Sequence, residues 1–403
     1  MTVLTQPRLA SLRERFAPHF AAIAAGAAER DRSGALPYEQ IAELAAAGFG
    51  AVRVPVEYGG AGATLPELFE LFVDLAAADS NIAQALRAHF AFVEDRLVAA
   101  PSAARDAWLA RFVAGQLVGN SWTEVGAVKV GDVITKVVDT PEGLKINGTK
   151  YYSTGSIFAD WLDTYAEYNG QRVIAAVSRH QEGVELADDW DGFGQRTTGT
   201  GTSTFTNADV AEVIDFDTRF KYQTAFYQQV LLAVLAGSAK AAERDFAAEL
   251  KNRKRTFSHA AANIAGQDPQ LLQVIGEVSA AAFAAAATVE RVSQSLQGAY
   301  DSALALQAGQ IDAEADEAAN DAAELASAQG QVVLTPLVLN ALTHAFDALA
   351  ASATSVSKNL DRHWRNARTA GNHNPWVFKA RLIGDLAVNS APLPRIWAIG
   401  ASK

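Results

Sequence analysis

From Leu9 to about Phe112 apolar side chains recur every three or four positions, as in Ile41, Leu44 and Ala45 or in Leu86, Phe90, Val93 and Leu97. That period gathers them on one helix face and predicts a helical N-terminal region. The run Val54-Pro55-Val56-Glu57-Tyr58-Gly59-Gly60-Ala61-Gly62 interrupts it with residues that break helices, so a loop is expected there, either approaching a ligand or turning a corner. Between about Val118 and Asp217 the period shortens. Val133, Ile134, Val137 and Val138, then Leu144 and Ile146, then Trp161, Leu162 and Tyr165, then Val173 to Val177 form short β-rich runs. Thr140-Pro141-Glu142-Gly143, Asn147-Gly148 and Asn169-Gly170 punctuate them, and the last two are dipeptides favoured in tight hairpins. From about Thr218 long Ala-rich stretches return, with breaks expected near Gly266-Gln267-Asp268-Pro269 and from Gly330 to Pro336. Four long helices with acidic outer faces, around 280–328 above all, predict a bundle. The expected fold class is α+β in three parts: an N-terminal α-helical domain (1–117), a central β-barrel or β-sandwich domain (118–217) and a C-terminal four-helix bundle (218–403).

Composition narrows the chemistry. The 45 acidic residues outnumber the 34 basic ones, and a net charge of −11 opposes broad contact with nucleic-acid phosphates or anionic lipid. There is no cysteine, which excludes disulfides, thiolate catalysis and cysteine-ligated zinc or iron–sulfur sites; the single methionine is Met1. Arg8, Arg13 and Arg15 interrupt the first twenty residues, so no secretory signal is expected, nor an 18-residue apolar stretch free of charge; the expectation is a cytoplasmic protein. The seven histidines show no metal-ligand spacing, and no metal is assigned.

Five motifs carry a resemblance: Tyr58-Gly59-Gly60-Ala61-Gly62, Ser121-Trp122-Thr123-Glu124, Gly148-Thr149-Lys150-Tyr151-Tyr152-Ser153-Thr154-Gly155, Gly192-Phe193-Gly194-Gln195-Arg196 and Trp364-Arg365-Asn366-Ala367-Arg368. They resemble, in order, the characteristic blocks of the acyl-CoA dehydrogenase superfamily, and the likeness covers nearly the whole chain. The run from His363 through Pro375 is closest to the dibenzothiophene monooxygenase branch, the two-component flavin monooxygenases. The resemblance implies FMN, with FAD as the alternative, reduced by a partner flavin reductase. It further implies reaction with O2 through a C4a-hydroperoxyflavin, oxygenation of a small aromatic, heterocyclic or sulfur- or nitrogen-containing substrate, and a homotetramer.

Residue by residue, Thr123 stands where the family's threonine hydrogen-bonds the flavin pyrimidine edge, with Asn120 and Trp122 beside it. Thr154 stands at the hydroxyl position against the flavin N5 region, and Tyr152 at the aromatic position that covers the ring. The residues make sense on their own terms, since a flat apolar ring with one polar edge needs aromatic walls and a few oriented hydroxyl and amide groups. A plain sheet edge rich in Ser and Thr is the alternative. For the phosphate, Arg253, Lys254 and Arg255 resemble the family's arginine that reaches a flavin, often in a neighbouring subunit; a solvated basic face is the alternative. Ser357 and Lys358 can also meet phosphate, or the serines near them can simply cap a helix.

The departure from the dehydrogenases is at the base. The family's glutamate falls on Asn374, whose amide has no basicity, and no acidic residue lies between Asp217 and Glu243, the alternative seat. His373 is adjacent, within Asn372-His373-Asn374-Pro375, and the resemblance places a histidine there near the flavin's reactive edge, where an imidazole titrating near neutral pH can handle a proton. Thr154 and His373 are the expected catalytic pair. His89 is a third candidate, either lining the substrate pocket or satisfied in the core, and Arg368 either orients His373, binds cofactor or makes a structural ion pair. An acyl-CoA dehydrogenase or oxidase with a relocated base is the second reading, weakened by Val125 after Glu124 and by Val130-Gly131-Asp132 at the acyl-CoA segment; a flavin-free scaffold is the third.

Overall fold

The computed structural model describes residues 7–126, 129 and 132–396; Val130 and Gly131 of the acyl-CoA segment lie outside them. Helices α1 (Pro7–Ser33), α2 (Tyr38–Ala46), α3 (Leu65–Ala78), α4 (Ser80–Ala85), α5 (Arg87–Val98) and α6 (Ala103–Val113) come first. Their starts follow from local chemistry: Thr64 and Glu67 form a reciprocal capping box at α3, and Asp79 and Ser102 cap α4 and α6 with their side chains. The interrupting glycine loop turns a corner, with the Gly62 N–H donating back to the Val54 carbonyl at 2.9 Å.

Strands β1 (Val118–Ser121), β2 (Thr123–Glu124), β3 (Lys136–Thr140), β4 (Gly143–Tyr151), β5 (Trp161–Tyr168), β6 (Gln171–Ser178), β7 (Val184–Leu186), β8 (Ser203–Asp209) and β9 (Glu212–Asp215) build one mixed sheet. Its order is β7-β8-β4-β3-β5-β6-β9, with β1 alongside β5 and β2 alongside β4. The Asn169-Gly170 hairpin is present: both residues have positive φ and Tyr168 faces Gln171 across the turn. Asn147-Gly148 is not a turn. β4 runs straight through it, paired with β3 on one side and β8 on the other, and absorbs the glycine as a bulge between Ile146 and Gly148.

Helices α7 (Gln223–Asn252), α8 (Pro269–Gln307), α9 (Ala313–His344), α10 (Arg362–Gly371) and α11 (Lys379–Asn389) complete the chain. Three are long and two short, so the expected bundle of four long helices is instead α7, α8 and α9 closed by α10 and α11. The break at 266–269 is real, with Asp268 capping α8 and Pro269 in its first turn. The break expected from Gly330 to Pro336 is absent; α9 passes through with Pro336 inside it. Gly330 serves packing: a Cβ there would lie 2.8 Å from Leu232 and 3.1 Å from Val292, so the missing side chain lets α9 approach α7 and α8 closely. By length and composition α8 and α9 are apolar enough to cross a membrane, and 325–346, in and just after α9, carries no Asp, Glu, Lys or Arg, against the expectation. Both helices pack on α7 and on each other. The sheet is tied to this bundle through Gln195, whose N–H donates to Asn366 Oδ1 at 2.6 Å, and through Phe193 stacked on Trp364.

Candidate active site

The junction of β1, β2, α5, α7 and the segment after α10 gathers most of the expected ring-edge residues. Trp122 lies between β1 and β2, half-buried, and its indole N–H donates to Asp163 Oδ1 at 2.8 Å. Its ring meets Phe216 and Tyr227 edge-on, with centroids 5.7 and 5.5 Å apart. Behind it, the Arg219 guanidinium is sealed between Asp163, at 3.0 Å, and Asp95, at 3.5 Å, and lies 5.3 Å from the Trp122 ring. Burial pushes the Asp163 carboxyl above the ordinary range, against the opposing pull of Arg219 and the indole N–H. A buried ion cluster thus fixes the attitude of the aromatic wall.

Asn120 and Thr123 flank that wall, and neither side chain hydrogen-bonds to the described residues. The segment after β4 turns through Tyr152, a non-glycine at φ 57°, to bring Thr154 inward. The Thr154 hydroxyl is buried 2.8 Å from that of Thr200, while Ser153 Oγ is buried with no partner. Gly155 explains the close seating. At φ 78°, a Cβ there would fall 2.0 Å from the Ala85 carbonyl oxygen, so only glycine lets Thr154 approach the α4–α5 junction. Ser156 Oγ donates to the Asn120 carbonyl at 2.7 Å and ties this turn to β1. Tyr152 itself faces outward, exposed, 4.6 Å from the Tyr151 ring.

His373 comes to the same place from the other end of the sequence. Arg87 Nη1 lies 2.8 Å from His373 Nε2, and its guanidinium stacks 4.7 Å from the centre of the Tyr227 ring. The same Nη1 lies 3.4 Å from Nδ1, so the guanidinium sits over the imidazole face rather than on one nitrogen's lone pair. Burial and the Arg87 charge both push the imidazole down, to about 3. Together they keep the ring neutral at neutral pH.

His89 is seated differently. Its Nε2–H donates to the Gly50 carbonyl at 2.8 Å and its Nδ1 accepts the Val118 N–H at 3.2 Å, so both nitrogens serve the backbone. Burial pushes it down to about 4. The unfolded chain binds a proton near pH 6.5 and the folded one refuses it until about 4, so stability rises with pH across that window and is lost below it. The gap corresponds to about 3 kcal/mol. His89→Gln should therefore flatten the pH dependence of the unfolding free energy between pH 6.5 and 4; an unchanged slope would show that other groups govern acid unfolding.

The phosphate candidates form a second group elsewhere. Arg253 and Arg255 follow the C-terminal end of α7, Arg253 against the Phe257 ring and Arg255 exposed. Lys358 pairs with Glu249 and the Ser357 hydroxyl with Ser355, which places them at the same end. Tyr227 lies in the first turn of that helix, so at helical rise the two groups are separated by roughly 40 Å. One chain does not bring them to one FMN. Arg368 contacts Asn372 and pairs with no carboxylate among the described residues. Sequence reasoning missed Arg87, Tyr227, Asp163 and Arg219, although an aspartate inside the apolar strand run Trp161–Ala166 signals a buried charge in need of a partner.

The residues fit a flavin ring: an aromatic wall held from behind, unspent amide and hydroxyl groups along one edge, and an orphaned hydroxyl at Ser153. No group of three or more His, Asp or Glu side chains is placed to hold a metal among the described residues. Residues 10–116 match the acyl-CoA dehydrogenase N-terminal domain. The chain is 27% identical over 407 residues to a probable FMNH2-dependent monooxygenase, SfnC, of Pseudomonas putida, covering 98% of each. It is 26% identical over 395 residues to the dibenzothiophene monooxygenase of Mycolicibacterium goodii, covering 91% of each. A crystal structure of TdsC from Paenibacillus sp. A11-2 with FMN and indole superposes with a TM-score of 0.84 at 25% identity, covering 94% of this chain and 97% of that one. With this order of elements and a likeness that runs nearly end to end, the chain has the acyl-CoA dehydrogenase fold and is similar over nearly its whole length to the dibenzothiophene monooxygenase and to the FMNH2-dependent monooxygenase SfnC.

Proposed function

We propose that the protein is a two-component flavin-dependent monooxygenase that takes reduced FMN from a separate reductase and transfers one atom of O2 to a small aromatic, heterocyclic or sulfur- or nitrogen-containing substrate. The other oxygen atom leaves as water, and both electrons come from the reduced cofactor. The observation that carries this reading is the replacement of a carboxylate by neutral His373 and amide Asn374 at the reacting edge. The crevice beside them, lined by residues such as Gln228, Leu231, Thr335, Ala370 and Trp376, contains no carboxylate, so dehydrogenation lacks its base.

Bound reduced flavin supplies the activation of dioxygen. Asn120 and Thr123 would hydrogen-bond the ring edge, Trp122 would bound one face while Tyr152, turned outward, takes no part in the wall, and the Thr154 hydroxyl and the His373 ring N–H would hold the oxygen-bearing side. Apolar neighbours exclude water from it. His89 anchors the Gly50 loop to β1 and takes no part in proton transfer. Arg253, Arg255, Ser357 and Lys358 belong to the phosphate site of a neighbouring subunit, and Arg368 lies beside the site through Asn372. This assignment goes with a cytoplasmic homotetramer and with the three-part division at 117/118 and 217/218. Support for assembly comes from α8, which exposes Phe283 at 77% and Leu272 at 49% on an Ala-rich face.

Anaerobic titration with reduced FMN, followed by mixing with O2 and a thioether or indole, should give saturable binding and one oxygenated product per flavin oxidised. Protein that leaves reduced FMN unbound, or that desaturates an acyl thioester, would overturn the reading.

A further inference from the structure

Each of the four buried arginines has a carboxylate: Arg30 pairs with Asp79, Arg53 with Glu94, Arg96 with Asp95 and Arg219 with Asp163, at 2.8, 2.6, 2.5 and 3.0 Å. That is what physics demands, since a desolvated guanidinium is costly unless an anion compensates it. Arg87 breaks the pattern. It is half-buried, and burial pushes it down to about 10, which still leaves it charged at neutral pH. Its only partners among the described residues are the uncharged imidazole ring of His373 and the face of Tyr227. Among the described residues no carboxylate pairs with it, and Asp163, whose charge acts on Tyr227, is already spent on Arg219. One Arg87 nitrogen is used on His373, leaving most of the donor fork free.

Two further features point the same way. The Tyr227 hydroxyl is buried, with 8% of the residue exposed, and has no hydrogen-bond partner. Arg87 also opens α5, whose N-cap, Leu86, offers no side-chain acceptor, so the helix end adds unanswered positive potential at the same spot. Gln228 and Asn374, the chain neighbours of Tyr227 and His373, line a narrow crevice with Leu231, Leu232, Leu235 and Ala370, so apolar surface adjoins these groups.

We propose that Arg87 is an anion subsite of the substrate pocket and that the substrate is a small molecule bearing a compact oxyanion, a sulfinate or a carboxylate, on an apolar body. The oxyanion lies across the Arg87 fork, and the apolar body rests against the neighbouring apolar surface. This assignment rests on the monooxygenase reading for its meaning, but it is measured without flavin. An anion supplied by the cofactor shares the chemistry, so the test separates the two sources.

The experiment is calorimetric titration of flavin-free protein with benzenesulfinate and benzoate, with methyl phenyl sulfone as the neutral counterpart, and a parallel titration with reduced FMN. It is run at pH 8, where even an ordinary imidazole is neutral and His373 cannot stand in for the missing charge. Wild type should bind both anions, Arg87→Gln should weaken them at least tenfold, and Arg87→Lys should fall between. Sulfone and FMN affinities should stay within twofold. Wild type that binds neither anion, Arg87→Gln that binds them as wild type does, or an FMN affinity that falls in step with the anions would each overturn the proposal, the last by assigning the cation to the cofactor. Failure of the monooxygenase reading looks different: reduced FMN is not bound by wild type at all. Should Arg87→Gln not fold, as read by its melting temperature, the Lys variant alone decides, because it keeps the charge and removes the fork.

Discussion

Arg219→Met should destabilise the protein by about 3–5 kcal/mol at pH 7 in urea unfolding. The guanidinium side chain has no exposed surface and answers two carboxylates, Asp163 and Asp95, that are themselves buried. Removing it leaves Asp163 with the Trp122 indole N–H as its remaining donor, and Asp95 with Arg96 and the Phe220 amide. The pH dependence is diagnostic. Asp163 is already held above the ordinary carboxyl range, and without Arg219 it rises further. A carboxyl whose folded pKa lies above its unfolded one favours folding at low pH and loses that contribution as pH climbs through the folded value. The deficit of the variant should therefore be small near pH 4–5 and fully developed by pH 7–8. A deficit of equal size at both ends would mean that lost packing, rather than an uncompensated carboxylate, explains it. Because Trp122 leans on this cluster, reduced FMN should also bind the variant more weakly.

His373→Ala should lower the yield of oxygenated product relative to hydrogen peroxide by about 10–100-fold, the range expected for losing one oriented donor in a dry site, while oxygen uptake continues. His373→Asn, which keeps an N–H, should recover part of the loss. The neutral-ring assignment adds a sharper test: with the imidazole held near 3, the wild-type coupling ratio should be flat between pH 5.5 and 8. A limb near pH 6.5 that disappears in the alanine variant would make His373 an acid rather than a fixed hydrogen-bond donor.

Helical region, sheet and helical region were legible because period 3.6 and period 2 differ over windows of many residues. Asn169-Gly170 was legible as a turn because β5 and β6 pair in register right up to it, with Tyr168 opposite Gln171. Asn147-Gly148 carries the same local preference, yet β4 is claimed by strands on both sides and the sheet overrides it. Gly330 and Pro336 look like helix breakers in one dimension; packing against Leu232 and Val292 gives the glycine its purpose. Thr154 and His373 could be named from motifs. Their surroundings could not, because Arg87 meets His373 across 286 positions and Arg219 meets Asp163 across 56, separations no local pattern encodes. For His89 both readings stood open on the sequence, and only the Gly50 and Val118 partners favour the core one.

The cysteine-free chain whose only sulfur is that of Met1 has a bearing on durability. Oxygenases that release hydrogen peroxide expose themselves to it, and the residues that age fastest under such attack are thiols and thioethers, which climb an oxidation ladder and swell or polarise the packing around them. This core is filled with leucine, valine, phenylalanine and alanine, none of which offers peroxide a lone pair on sulfur. A turnover that goes astray therefore wastes a cofactor's electrons without scarring the catalyst.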